Sequence, residues 1–133
     1  MFKDEGYRLM GAAFEVYNEL GYGMAEEIYQ QSLEVELGLR SIPFVPKQEL
    51  LVYYYKANQL QTRYRPDLLV FDEIVVELKA VSGLDPDHEA QLFNYMRIAR
   101  MPVGYLLNFG QKGDLEWKRF ILSDIRGAKA LEH

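Results

Sequence analysis

Apolar positions in the first forty residues recur with a helical period. Leu9, Ala13, Val16, Tyr17 and Leu20 predict a helix over residues 4–20 with one buried face. Gly21 and Gly23 interrupt it. Ile28, Tyr29, Leu33 and Leu37 form a second stripe, predicting a helix from Ala25 to Leu39 with Gly38 near its end. From Ile42-Pro43 the chain turns extended. Glu49–Tyr55 (ELLVYYY) is rich in strand formers, KANQ at 56–59 is a turn, and Leu60–Phe71 predicts a long second strand. Pro66 within it marks an edge position or a bulge. Asp72-Glu73 turns the chain into a third strand, Ile74–Ala80. Residues 81–86 form a loop in which Asp85-Pro86 supplies an N-cap and a first-position proline for a helix over 87–100. A fourth strand, Val103–Phe109, and a fifth, Leu115–Leu122, follow on either side of the Gly110–Gly113 turn. Beyond Ser123 the pattern is indistinct.

The resulting order, ααβββαββ, is that of an α/β chain of the α+β type: a central mixed sheet of about four to five strands flanked by helices. The third and fourth strands, joined through a helix, should be parallel with a right-handed crossover, and the earlier strands should form antiparallel hairpins. Residues 1–130 read as a single domain. Leu131-Glu132-His133 reads as the remnant of an expression tag.

Composition narrows the function classes. The chain has 133 residues, 49% of them hydrophobic and 26% charged, enough for one core. It has no cysteine, so disulfides and thiolate metal sites are excluded. The N-terminal MFKDEGYRLM lacks the apolar run of a signal peptide, and no stretch reaches the length of a membrane span. A cytoplasmic location and no membrane partner are expected. The net charge of −5 argues against a strong, non-specific nucleic-acid binder but leaves room for a local basic groove.

One stretch of strand sequence, RPDLLVFDEIVVELKA at 65–80, carries charges that are hard to place: Asp67, Glu77 and Lys79. Residues two apart on a strand share a face, so Glu77 and Lys79 point together, away from Val76 and Leu78. A plain two-residue loop at 72–73 would pair Asp67 with Leu78 and turn Asp67 to the wrong face. A one-residue shift brings Asp67 opposite Glu77 or Lys79. Carboxylates about 5 Å apart repel by roughly 3 kcal/mol at an effective dielectric near 20. A hard divalent cation would relieve that repulsion, leaving Lys79 to act on a water. The other reading of the same residues is a solvated hairpin face with a weak Glu-x-Lys ion pair.

Pro66-Asp67, followed after nine residues by Glu77-Leu78-Lys79, resembles the signature of PD-(D/E)xK nucleases. Gly23-x-x-Glu26-x-x-Tyr29 resembles the motif of the GxxExxY proteins, a family within that superfamily. Gln91-x-x-x-Tyr95 resembles the helix that follows the Glu-x-Lys strand in RecB-type and lambda-exonuclease-like members. The resemblance extends over nearly the whole chain, including the strand end at Asn108-Phe109.

The resemblance implies a restriction-endonuclease-like core and a Mg²⁺- or Mn²⁺-dependent nuclease hydrolysing phosphodiester bonds of nucleic acid, DNA ahead of RNA. It implies Asp67 and Glu77 as metal ligands, joined by the Leu78 carbonyl and by Glu26, with Lys79 beside the nucleophilic water. Gln91 and Tyr95 would line the cleft. The alternative is a catalytically silent nuclease-fold module that binds nucleic acid or a protein partner.

The residues themselves leave several roles open. Tyr29 and Tyr95 serve equally as core residues with satisfied hydroxyls, and Glu26 as a first-turn acid at a helix N-terminus, with Glu27 its rival. His88 reads as a surface residue or a neighbour of the site rather than a ligand. Arg65 would share a face with Asp67, and steers phosphate or pairs with an acid. Arg63, Arg97 and Arg100 are further basic candidates for steering phosphate, the last two equally readable as C-terminal helix charges. Tyr53–Tyr55 could cover a homodimer interface or fill the core.

Overall fold

The computed structural model describes residues 1–124 and 127–131. The elements run α1 (Lys3–Leu20), α2 (Glu26–Leu39), β1 (Phe44–Pro46), β2 (Leu51–Tyr55), β3 (Asn58–Tyr64), β4 (Leu68–Val70), β5 (Ile74–Lys79), α3 (Pro86–Ala99), β6 (Val103–Asn108), β7 (Glu116–Asp124) and β8 (Gly127–Leu131). Six strands form a mixed sheet in the order β1-β4-β5-β6-β7-β8, and β2 and β3 form a separate two-stranded sheet. As expected of a crossover through a helix, β5 and β6 are parallel, whereas the remaining pairs are antiparallel. Among the described residues no helix is long and apolar enough to cross a membrane.

The strand parity divides the core into two layers. Leu68, Val70, Ile74, Val76 and Leu78 pack with α1 and α2 against Leu9, Val16, Leu33 and Leu37. Leu69, Val75, Leu106 and Phe120 face α3 through Leu92 and Met96. Burying about 25 cal/mol for each Å² of apolar surface on both faces is what holds the helices to the sheet.

Three departures from the predicted pattern have physical causes. The single long strand expected over 60–71 is two strands, because Pro66 brings no N–H and the chain leaves one sheet at Arg65 and enters the other at Leu68. The extended region after Ile42-Pro43 becomes β1 and adds an edge to the main sheet. On α2 the buried face holds Tyr29, Gln30, Leu33 and Leu37, and Ile28 is 43% exposed, so a glutamine takes the buried position assigned to an isoleucine. Of the terminal stub, Leu131 ends β8, while Glu132 and His133 lie outside the described residues.

Helix α3 begins as its sequence requires. The Asp85 side chain accepts from the N–H groups of Asp87 and His88, and Nδ1 of His88 accepts from the Asp85 N–H. This reciprocal cap fixes His88 at the helix start and gives it a structural job.

Candidate active site

The site is built by strand register. In the β4–β5 hairpin, Phe71 and Asp72 are both left-handed, with φ of 52° and 62°, and the Glu73 N–H returns to the Val70 carbonyl at 3.3 Å. The turn holds one residue more than the simple loop, so Val70 pairs with Ile74, Leu69 with Val75 and Leu68 with Val76. Continued by one position, this register sets Asp67 opposite Glu77. On the other side, Pro46 pairs with Leu68, so Lys47 stands opposite Asp67 and its N–H reaches the Asp67 carbonyl at 3.4 Å. A lysine, an aspartate and a glutamate therefore lie in one row across three neighbouring strands.

Both oxygens of Asp67 are engaged. Oδ1 meets Lys47 Nζ at 2.5 Å, and Oδ2 accepts the Leu78 N–H at 2.7 Å. Because the chain is changing sheets at Pro66, the side chain of Asp67 supplies the acceptor that a ladder carbonyl would supply elsewhere. The Asp67 carbonyl also accepts from Nε2 of Gln30 at 2.9 Å, tying α2 to the sheet. Gln30 is only 3% exposed, and its amide divides its bonds between Asp67 and Glu34.

Glu77 is partly buried. Its Oε1 accepts from the Tyr64 hydroxyl at 3.0 Å. Burial, then the charge and hydrogen bonding of Asp67, push its carboxyl up to about 8, against the opposing pull of Tyr64 and Lys79. The Tyr64 phenol is pushed well above its ordinary value by burial and by Glu77, so it stays a protonated donor. Burial lowers the Lys47 ammonium, but the hydrogen bond and charge of Asp67 outweigh it and the net direction is up.

Glu26 opens α2, and its carboxyl is raised by burial and by Asp67, with Lys79 and Lys47 pulling it down. It therefore feels Asp67, although among the described residues no group of three His, Cys, Asp or Glu side chains converges as a ligand cluster. Tyr29, the tyrosine of the Gly23-x-x-Glu26-x-x-Tyr29 motif, is a core residue. Its ring is fully buried and stacks on Phe109 with centroids 4.8 Å apart. Its hydroxyl donates to the Gly21 carbonyl at 2.6 Å and accepts the Met24 N–H at 3.1 Å. The motif's tyrosine thus braces the turn that delivers Glu26, a turn in which Gly21 and Gly23 adopt φ of 68° and 103°. Glu27, the rival acid, is bonded to Gln31 on the surface.

A family model for the PD-(D/E)XK nuclease superfamily matches residues 3–120. This chain belongs to the PD-(D/E)XK nuclease superfamily. No curated protein and no solved structure gave a match. The three helices and mixed sheet agree with the restriction-endonuclease-like fold expected of a PD-(D/E)XK nuclease.

Within this nuclease-superfamily chain, the outer candidates divide. Tyr95 stacks on Tyr64 with centroids 4.0 Å apart and backs the residue that holds Glu77. Gln91, one turn earlier on α3, is exposed. Arg65 does not reach Asp67: Nη2 binds Glu49 at 3.0 Å, and Arg63 shares the same carboxylate at 3.5 Å. Arg97 bonds Asn94, and Arg100 is the left-handed residue that ends α3. Beyond Lys79, the fully buried Asn108 fixes the following loop. Its Oδ1 accepts from Val81 and Gly110, while Nδ2 donates to the Val81 carbonyl and Glu116.

Lys47, Gln30 and Tyr64 were not among the residues singled out from sequence. Each reaches the acids from an element whose pairing only the folded chain reveals.

The donor set fits a hard divalent cation. Two carboxylates are opposed, burial and mutual repulsion keep Glu77 from ionising at its ordinary value, and the donor atoms are oxygens. Mg²⁺ takes one or two carboxylates and keeps several waters, so two protein acids suffice.

Proposed function

We propose that this protein is a Mg²⁺- or Mn²⁺-dependent nuclease of the GxxExxY group, acting on phosphodiester bonds of nucleic acid, DNA ahead of RNA, in the cytoplasm. The observation that carries the reading is the register that opposes Asp67 to Glu77 with Lys79 two residues along the same strand. Asp67 and Glu77 would hold the cation, with the Leu78 carbonyl and Glu26 as further donors. When bound, the ion supplies Lewis-acid polarisation of the phosphodiester and neutralises developing charge.

The chain's own groups do the rest. Tyr64 fixes the orientation of Glu77, and the Leu78 N–H and Gln30 fix Asp67. Lys79 orients the attacking water and offers positive charge to a phosphate oxygen. Gln91, on the exposed face of α3, contacts the substrate. Lys47 pairs with Asp67, and a bound cation would supply that positive charge in its place.

The test is cleavage of DNA and RNA with Mg²⁺ or Mn²⁺ by the wild type and by Asp67→Asn, Glu77→Gln and Lys79→Ala, with Mn²⁺ binding followed by calorimetry. The reading expects cleavage lost in all three and Mn²⁺ heat lost in the first two. Cleavage that persists in all three overturns it.

The Lys47–Asp67 ion pair favours a second reading, because it already satisfies the acid without a metal. In that reading the chain is a silent nuclease-fold module. Nucleic acid or a protein partner would then bind unchanged to Asp67→Ala, and no preparation would cleave.

A further inference from the structure

The β2–β3 sheet stands apart from the main sheet and carries three consecutive tyrosines. The pairing slips between Val52 and Tyr54, where three residues of β3, 60–62, stand against Tyr53 alone. Tyr53, Tyr54, Tyr55, Leu60, Arg63 and Tyr95 line one open groove of about 380 Å³. Tyr54 and Tyr55 are each 63% exposed. Strand propensity accounts for tyrosines in a strand, but single exposed aromatics are the norm, and a contiguous exposed group marks a binding surface.

Charge identifies the class of occupant. Residues 49–65 hold Lys56, Arg63 and Arg65 against Glu49 alone, a net of +2, in a chain whose total is −5. The Lys56 ammonium lies 5.4 Å from the centre of the Tyr55 ring. One glutamate is shared by two guanidiniums, so the hairpin stays positive. A basic hairpin with exposed flat rings on an acidic protein suits a polyanion that also presents flat apolar faces. Unpaired nucleotides have both properties, whereas a duplex hides its base faces by stacking them.

The wall of the groove also packs toward the acids. Tyr95 lines it and stacks on Tyr64, whose hydroxyl binds Glu77. The link is one ring stack and one hydrogen bond.

We infer that the β2–β3 hairpin is a platform on which unpaired bases of a single-stranded nucleic acid stack, on Tyr54 and Tyr55, with Arg63 and Lys56 meeting its phosphates. The platform deepens the nuclease reading and rests on it for the placement of the strand beside Asp67 and Glu77. It makes the substrate a single strand, or a duplex end with unpaired nucleotides.

The experiment uses the full chain, EDTA and fixed salt of about 100 mM, since affinity for nucleic acid depends steeply on salt. Fluorescence anisotropy follows fluorescein-labelled oligothymidylate and oligouridylate of about twenty nucleotides and a blunt duplex of equal length. The wild type should bind one or both single strands more tightly than the duplex. Tyr54→Ala/Tyr55→Ala should weaken single-strand binding about tenfold or more, and Tyr54→Phe/Tyr55→Phe should restore it, because the ring and not the hydroxyl stacks.

Unchanged single-strand binding by the alanine variant overturns the inference. So does an equal loss on duplex, and so does a dimer in sedimentation that the alanine variant alone breaks, which would make the groove an interface between two copies. Because binding is read in EDTA, loss of cleavage with tyrosine-dependent binding intact overturns only the hydrolytic reading. Metal-dependent cleavage without tyrosine-dependent binding overturns only the platform.

Discussion

The hydroxyl of Tyr64 donates a 3.0 Å hydrogen bond to Oε1 of Glu77. This bond favours the ionised carboxylate and opposes the burial and the Asp67 charge that drive Glu77 up to about 8. Tyr64→Phe removes the donor and keeps the ring that stacks on Tyr95. Glu77 should then hold its proton to still higher pH, so the pH at which Mn²⁺ binding is half-maximal should rise. The protein should lose about 1–3 kcal/mol of stability, the range for leaving a buried polar group without its partner. Calorimetric Mn²⁺ titrations between pH 6 and pH 9, with urea unfolding, check both effects.

The metal-free protein should become less stable as pH rises. The folded state keeps the Glu77 proton to about 8, whereas the unfolded chain releases it near the ordinary carboxylate value of 4.5. Between these two values the native state binds more protons than the unfolded state. The contribution is therefore fully present below the unfolded value and is lost as pH rises through the folded one, with a limiting slope of about 1.4 kcal/mol per pH unit for one proton. Thermal melts in EDTA should show a falling Tm from pH 5.5 to pH 8.5. Glu77→Gln should flatten that fall.

Gln30 is a positioning residue for Asp67. Replacing it by Ala removes the 2.9 Å bond to the Asp67 carbonyl and leaves only the longer Lys47 N–H on that oxygen. The expected cost is about 1–2 kcal/mol of stability. A fall in Mn²⁺ affinity of about tenfold should accompany it, as for other groups that support a metal ligand. Urea unfolding and calorimetry on Gln30→Ala test the pair of effects. A loss of stability with unchanged Mn²⁺ affinity would make Gln30 a packing residue only.

Much of this was written in the sequence. The helical periods gave α1 and α2 to within a residue or two, and Asp85-Pro86 marked the start of α3. The acid pair was legible as a condition: Asp67 could meet Glu77 only if the hairpin avoided the simple loop. The condition is met through left-handed backbone at Phe71 and Asp72, residues that carry no glycine to announce it. Lys47 was invisible because a three-residue strand containing proline has no periodic signature, so nothing placed it beside Asp67. Tyr64 was hidden by the break at Pro66, which makes parity counts along 60–71 meaningless across the two sheets. Arg65, judged by parity to share the Asp67 face, pairs with Glu49 for the same reason.

The central claim is that Asp67 and Glu77 form one divalent-cation site. Crystals of the protein soaked in Mn²⁺ test it most directly, through the anomalous signal of the metal. The account predicts a peak bridging the two carboxylates, with Lys47 Nζ withdrawn from Asp67 Oδ1. Crystals in which Lys47 remains on Asp67 and no peak lies between the acids would contradict it.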